Sequence, residues 1–259
     1  MKKKDLSCIF TLLAVLTFNG CASVPGKGDP RDPLEDYNRA VYKFNDTVDR
    51  AVLKPVAKGY DFVVPDLVKT GVGNVFSNLG ELVVIFNDAL QGKGEQAVAD
   101  MGRFIINSTF GMVGLFDIAT PAGLPKHNED FGQTLGKWGV NSGPYFVLPL
   151  LGPSTIRDTS AKIVDRQLQY PAYVEHVPTR NSAYALDIVN TRSTLLGASN
   201  ALNEAALDPY VFVRDAYLQR RQRLVYDGNP PKEKDDFYDE EDLEETSKDA
   251  NKQSDGEKK

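Results

Sequence analysis

The residue types that support catalysis or metal binding are sparse in this 259-residue sequence. Its two histidines, His127 and His176, have no companion at a metal-ligand spacing, so we expect them at the surface or at helix caps. The motifs G-x-S-x-G, H-E-x-x-H and C-x-x-C and the Walker loop are absent. The adjacent pairs Arg157-Asp158 and Arg214-Asp215 are typical of structural ion pairs. The sequence therefore predicts no catalytic residue and no metal site.

Cys21 is the one residue whose setting predicts a covalent modification. It follows a lysine-rich start and an apolar stretch, Leu6 to Phe18, that is too short to span a bilayer, which is the layout of a secretory signal peptide. The ending Phe18-Asn19-Gly20-Cys21 resembles a bacterial lipobox, whose cysteine is acylated after cleavage. We predict a signal peptide over residues 1–20 and a linker over 21–33 that begins at lipidated Cys21. Ordinary cleavage near Ala22 is the alternative.

The predicted signal peptide and lipid account for both cysteines of the sequence. The other cysteine, Cys8, leaves with the signal, so the mature chain cannot form an internal disulfide. Each buried methylene of an acyl chain contributes about 0.8 kcal/mol to membrane binding. Ala22 after the cysteine resembles the sorting signature for the outer membrane. The covalent lipid on Cys21 is the only cofactor that we expect.

The formal charge of −6 is concentrated at one end of the chain. Residues 232–259 hold 12 acidic and 6 basic residues, whereas residues 21–231 hold 23 acidic and 21 basic ones. This acidic balance argues against a nucleic-acid partner. We predict an acidic disordered tail over 229–259, because it has too few large apolar residues to fold. It is either a weak partner-binding tail or a dispensable solvated terminus.

Between these ends, apolar residues recur at helical spacing with frequent glycine and proline breaks. The pattern predicts a mainly α fold with little or no sheet. The predicted elements are helices around Tyr37–Val52, Leu67–Phe86, Ala97–Ile105 and Asn181–Ala206, a helix capped by Asp208 with Pro209 in its first turn, and an extended segment at Tyr145–Leu148. The stretch from Gly102 to Gly152 mixes glycines with aromatic residues, which favours either a pocket or bilayer-interface lining or a loop-rich core.

Four segments, read in order, resemble the MlaA (VacJ) family of outer-membrane lipoproteins. They are Asp32-Pro33-Leu34-Glu35-Asp36-Tyr37-Asn38-Arg39 followed by Phe44-Asn45; Asn107-Ser108-Thr109-Phe110-Gly111 through Asp117; Asp130-Phe131-Gly132-Gln133-Thr134-Leu135-Gly136 through Ser154; and Asp208-Pro209-Tyr210 through Tyr217. The resemblance covers about Asp32 to Tyr226. It implies a single domain over 34–228, in which amphipathic helices form a ring around a channel.

The resemblance also implies a function. Members of this family remove misplaced phospholipids from the outer leaflet of the outer membrane and pass them to a periplasmic carrier of the MlaC type. We therefore expect phospholipids, the outer membrane, a trimeric porin and such a carrier as partners, and a position on the periplasmic side of the membrane. Two alternatives stay open at this point: an envelope scaffold lipoprotein without transport activity, and a lipid-modifying enzyme.

The family motifs suggest where lipid passes. We expect the wall or hinge of the channel in the segment Phe131 to Tyr145 and in the first motif, at Gly132, Trp138, Gly143, Tyr145, Phe44 and Asn45. Arg39 and Arg214 are candidates for attracting phosphate head groups, with structural ion pairs as the alternative. The stretch Leu67 to Phe86 is a candidate membrane-embedded helix, although a buried core helix has the same spacing.

Overall fold

The protein is described by a computed structural model over residues 28–169 and 173–231. The predicted signal peptide, Cys21 and the tail from residue 232 lie outside the described residues. In chain order the elements are α1 (Glu35–Val48), a π-helical turn (Asp49–Leu53), α2 (Lys54–Val63), α3 (Asp66–Gln91), α4 (Gly94–Thr109), α5 (Phe131–Lys137), β1 (Tyr145–Leu148), β2 (Gly152–Thr155), α6 (Ile156–Leu168), α7 (Val177–Thr194), α8 (Leu196–Ala205) and α9 (Pro209–Val225). The mainly α fold expected from the sequence is confirmed.

The predicted helix and strand positions follow from local sequence signals. Glu35 and Asp36 lie in the first turn of α1, where negative charge favours the helix dipole. Asp208 caps α9 by accepting a hydrogen bond from the Tyr210 amide at 3.0 Å, and Pro209 opens that helix. The stretch Tyr145–Leu148 is a strand, as predicted.

One predicted helix is divided in two. The stretch Asn181–Ala206 was expected to be continuous, but α7 ends at Thr194 and α8 begins at Leu196. The Leu195 amide bonds to the Arg192 carbonyl only three residues back, which tightens the turn. The Ser193 hydroxyl also donates to the Asn190 carbonyl, a bond that competes with regular helix geometry. The prediction of one helix was therefore wrong.

The small antiparallel sheet is held against α1 by the side-chain amide of Asn38. Tyr145 pairs with Thr155 and Leu148 with Gly152. Asn38 is completely buried; its side-chain oxygen accepts from the Val147 amide at 2.8 Å, and its amide nitrogen donates to the Tyr145 carbonyl at 3.2 Å. A buried backbone group without a partner costs free energy. The asparagine therefore fixes the hairpin against the first helix.

The longest helix, α3, has its faces reversed relative to a helix of a soluble protein. Its buried side chains include Asn78, Glu81 and Asp88 together with Val83 and Val84, whereas Leu82 and Phe86 are each 40% exposed. α3 and α4 pack as an antiparallel hairpin after Gly92, which ends α3 at φ +75°. Polar side chains of α3 thus point into the protein, and several of its apolar side chains point out.

The reversal extends over the described residues. Among them, fully buried polar or charged side chains outnumber fully buried apolar ones. Large apolar side chains are exposed on most of the helices and on the turn after α4, where Phe110 is 74% exposed and Met112 and Val113 have positive φ. An exposed apolar surface of this extent marks an interaction with a membrane or another protein. None of the described helices has both the length and the apolar content needed to cross a bilayer.

Asp88 of α3 is fully buried against Asp100 of α4. Burial, together with the neighbouring Asp100 and Glu129 carboxyls, raises the pKa of Asp88 to about 7, and Lys93 opposes the shift. His127 Nδ1 lies 3.2 Å and 2.9 Å from the two oxygens of the Asp100 carboxyl. Since the ordinary pKa of Asp88 is 3.8, the folded state binds more protons than the unfolded state between about pH 4 and pH 7. The stability that the protonated Asp88 side chain contributes is therefore complete below pH 4, and it is lost as the pH rises through 7.

Asp88→Asn removes this titrating carboxyl at nearly constant volume. At pH 8 we expect the variant to have a free energy of unfolding higher than that of the parent by on the order of 1–3 kcal/mol. The gain shrinks at pH 5, where Asp88 of the parent holds its proton. Thermal unfolding in detergent, followed by circular dichroism at both pH values, measures the difference.

Asp66→Asn is the matched control, because Asp66 lies on the same helix, is exposed and pairs with Lys69. This variant should give no gain at pH 8. An equal gain in the two variants would contradict the assignment of the effect to the buried carboxyl pair.

Candidate functional site

A cavity of about 1020 Å³ lies between α5, α6, α7, α9 and the end of β1. One part of its lining is charged and includes Asp130, Asp158, Lys162 and Arg221. Its apolar lining residues include Leu148, Leu151, Ile163 and Ile188, and the rings of Tyr184 and Tyr217 line it as well. A cavity lined by both charged and apolar side chains suits an amphiphilic molecule.

The charged wall is organised around Arg221 of α9. Its guanidinium donates to Asp130 at 3.0 Å and to Asp158 at 2.9 Å. The Tyr217 hydroxyl donates to the second Asp158 oxygen at 2.7 Å. Burial alone would raise the pKa values of the two carboxyls, but the Arg221 charge holds the pKa of each below its ordinary range. The network is therefore fully ionised and internally compensated.

The family-like stretch that begins at Asp130 positions this wall. Asp130 caps α5 by accepting from the Gln133 amide at 2.9 Å, which fixes its carboxylate at the cavity. Asp165 of α6 accepts from the Phe131 amide at 3.0 Å and ties α6 to the start of α5. Burial raises the pKa of Asp165 to about 6. Local capping signals thus set the position of the charged wall.

Gly132 makes room for the network. A Cβ at this position would lie 2.6 Å from Asp158 Oδ1 and 2.7 Å from Arg221 Nη2, both closer than van der Waals contact allows. One turn later, a Cβ on Gly136 would lie 2.8 Å from Arg157 Nη1. The glycines let α5 pack directly on the ion pairs of α6 and α9.

A second cavity, of about 740 Å³, lies on the other side of Arg221. Arg221 lines both cavities, and Gly143, with φ +67°, lines the smaller one together with Arg157. The Arg157 guanidinium is 3.1 Å from Asp158. Arg221, with its ion pairs, is thus shared by the linings of the two cavities.

The structure places the other predicted channel residues at different positions. Phe44 is half exposed on the outer face of α1. Asn45 donates to the Leu148 carbonyl at 2.9 Å and accepts from the Leu150 amide at 2.8 Å, so it holds the turn between the strands. Leu151, which follows Leu150 in this turn, lines the larger cavity.

Trp138 and Tyr145 differ in their exposure. Trp138 is half exposed and its indole N–H donates to the Leu90 carbonyl at 3.2 Å. Tyr145 is 1% exposed and packs in an aromatic core with Tyr210 and Tyr217, and burial raises the pKa of its phenol. Of the six predicted channel residues, Gly143 lines the smaller cavity, and Gly132 packs against Asp158 and Arg221 of the larger one.

The two predicted head-group arginines are already engaged by carboxylates. Arg39 lies 2.7 Å from Glu35 and 2.9 Å from Asp208, and its guanidinium carbon lies 4.5 Å above the Tyr210 ring. Arg214 is buried within 3.1 Å of Asp29 and 3.0 Å of Asp215. These contacts favour the structural alternative for both residues.

Sequence reasoning missed Lys162, Arg166 and Arg220, which line the larger cavity. The spacing of Lys162 and Arg166, four residues apart on one helix, was a visible signal, because it places both on one face. His176 caps α7, as expected, whereas His127 is partly buried and its Nδ1 lies 2.9 Å from the Asp100 carboxylate. Within the described part of the chain, no group of acidic, histidine or cysteine side chains has a metal-binding arrangement.

Comparisons with known proteins agree with this geometry. The model of the family described as "MlaA lipoprotein" matches residues 30–224. The chain is 34% identical over 236 residues to the intermembrane phospholipid transport system lipoprotein MlaA of Haemophilus influenzae, covering 88% of this chain and 93% of that protein. It is 35% identical to the MlaA of Escherichia coli K12, over 81% of this chain and 84% of that protein.

A solved structure is also similar. It comes from work on the structural basis for maintenance of bacterial outer membrane lipid asymmetry. Its chain aligns with a TM-score of 0.67 and 34% identity, covering 75% of this chain and 98% of that one.

Gly132→Ala tests the packing of the charged wall. The added methyl group forces the Asp158 and Arg221 side chains apart, so we expect the free energy of unfolding to fall by about 1–3 kcal/mol. Gly59→Ala in α2 is the control, because no heavy atom lies within 4 Å of the new methyl group. It should be neutral or stabilising by up to about 1 kcal/mol. Equal stability of the two variants in a thermal melt would refute the packing argument.

Proposed function

Because the chain belongs to the MlaA lipoprotein family, we propose that it is an outer-membrane lipoprotein that removes phospholipids misplaced in the outer leaflet. It passes them to a periplasmic carrier of the MlaC type for retrograde transport and so maintains the lipid asymmetry of the membrane. The lipid is bound and transferred without chemical change.

The observation that carries this proposal is the combination of buried polar and exposed apolar side chains with a cavity that has both charged and apolar lining residues. A phospholipid does not cross a bilayer easily, because its charged head group must enter hydrocarbon. The larger cavity offers the head group a charged wall at Asp130, Asp158 and Arg221, and offers the acyl chains apolar residues such as Ile163. The exposed apolar side chains suit the surrounding lipid. Such a protein lowers the barrier for the head group while the chains stay in apolar surroundings.

The mode of membrane attachment follows from the sequence and the helices. An acylated Cys21 anchors the chain, and helices such as α3 lie in one leaflet with their apolar faces in hydrocarbon, which is the interfacial mode. The protein thus lies on the periplasmic side of the outer membrane. A trimeric porin holds it in the membrane, and the carrier collects the lipid from the periplasmic face.

Restoration of lipid asymmetry in cells tests the proposal. Deleting the gene should raise the amount of phospholipid in the outer leaflet, measured with a membrane-impermeant head-group label, and the parent protein should reverse the rise. Cys21→Ser should fail to reverse it, because the anchor is lost. Cys8→Ser is the matched control and should behave as the parent, since this residue leaves with the signal peptide.

Other outcomes would support the alternatives. An unchanged outer leaflet after deletion, with displaced partner complexes, would indicate the scaffold lipoprotein instead. Chemical turnover of phospholipid by the purified protein would indicate the lipid-modifying enzyme.

A further inference from the structure

Three cationic side chains are among the residues that line the larger cavity. Lys162 and Arg166 lie one turn apart on α6, and Arg220 lies on α9, which also bounds the cavity. All three side chains are in contact with solvent. They can therefore be reached by a ligand that enters the cavity.

These cations differ from the other arginines of the site in lacking a carboxylate partner. Across residues 28–169 and 173–231, no carboxylate lies within ion-pair distance of Lys162, Arg166 or Arg220. By contrast, Arg157 and Arg221 are both paired. Unpaired cations that face a cavity are the groups most available to an anion.

The carboxylates of the cavity are already occupied. Asp130 and Asp158 are bound by Arg221, as described above. Asp165 accepts from the Phe131 amide and from the Asn87 side chain, and its raised pKa of about 6 leaves part of the population uncharged in mildly acidic solution. The charge that remains for a ligand is therefore positive.

The protein walls also make an anion favourable at Lys162. Desolvation by the surrounding walls lowers the pKa of the Lys162 ammonium, the Arg221 charge lowers it further, and Asp158 and Asp130 oppose the shift. An anion that bound there would relieve the desolvation cost of the ammonium. An ammonium group of a ligand would instead meet like charges.

The apolar part of the lining accommodates an acyl chain. Leu151, Ile163 and Ile188 are all exposed towards solvent and border the cavity. A phosphate on a hydrocarbon tail therefore satisfies both the cationic and the apolar lining residues, whereas free phosphate satisfies only the cationic ones.

We propose that Lys162, Arg166 and Arg220 make the protein select lipids whose head groups carry a net negative charge over zwitterionic lipids. The phosphate diester of such a lipid contacts the three cations. A zwitterionic head group adds an ammonium for which the engaged carboxylates leave no acceptor. This inference rests on the proposed passage of phospholipid through the larger cavity.

Binding of two lipids with matched acyl chains tests the selection. The full-length lipoprotein in non-ionic detergent is titrated with phosphatidylglycerol or phosphatidylethanolamine that carries a fluorophore on one acyl chain, and the anisotropy is recorded. We expect at least about fivefold tighter binding of phosphatidylglycerol. Lys162→Gln, Arg166→Gln and Arg220→Gln should each weaken its binding about fivefold and leave phosphatidylethanolamine nearly unaffected.

Two variants serve as controls. Arg223→Gln removes a charge from the same helix as Arg220 but outside both cavities, and it should bind as the parent does. Lys162→Arg keeps the charge and should retain the preference, which separates an electrostatic role from a loss of folding. Thermal melts establish that each variant is folded.

Competition distinguishes the possible anions. Glycerophosphoglycerol and inorganic phosphate should compete only weakly with the labelled lipid, because they lack the acyl chain. Equally effective competition by inorganic phosphate would assign the cations to a soluble anion and overturn the lipid selection. Equal binding of the two lipids, or unchanged affinity in all three glutamine variants, would also overturn it.

The proposed function fails in a different way. If the parent protein restores lipid asymmetry in cells but binds both lipids equally, the selection fails and the transport proposal stands. If the parent neither binds lipid nor restores asymmetry, both proposals fail.

Discussion

A charged group that leaves water costs several kcal/mol unless a partner compensates for it, and this constraint determines how the interior is built. Arg103, Arg214 and Arg221 are buried, and each lies against carboxylates. These partners come from elements far apart in the chain, so satisfying the charges also fixes how the helices are arranged. Among the described residues, fewer apolar than polar side chains are fully buried, so the arrangement of the helices depends strongly on these ion pairs.

The same constraint explains why the apolar residues face outwards. With Asn78, Glu81 and Asp88 buried on the inner side of α3, apolar residues such as Leu82 and Phe86 lie on its exposed side. Water would penalise this arrangement, whereas hydrocarbon accepts it, because lipid tails are as apolar as the side chains themselves. The reversed helices therefore connect the ion-paired interior to the proposed place in one leaflet.

Local features of the fold could be predicted from the sequence, and long-range features could not. The Asp208 cap and the strand at Tyr145–Leu148 depend on residues that are neighbours in the sequence, so the types of those residues were enough to predict both features. The break at Leu195 depends on hydroxyl and backbone bonds that helical spacing does not encode. The family motif marked Gly132, but only the structure gives the reason, because Asp158 and Arg221 come from two other helices. Arg39 and Arg214 were candidates for head groups because a sequence does not reveal which arginines already have partners.

α9 displays two kinds of positive charge on neighbouring positions. Arg221 is buried and paired, and it lines both cavities, whereas Arg220 is about 100° away around the helix and lines the larger cavity without a carboxylate partner among the described residues. Separating Arg221 from Asp130 and Asp158 would cost on the order of 3–5 kcal/mol for a buried pair. This cost keeps the charged wall intact. A lipid phosphate can bind at Lys162, Arg166 and Arg220 without disturbing that wall, so binding and the integrity of the fold depend on different charges.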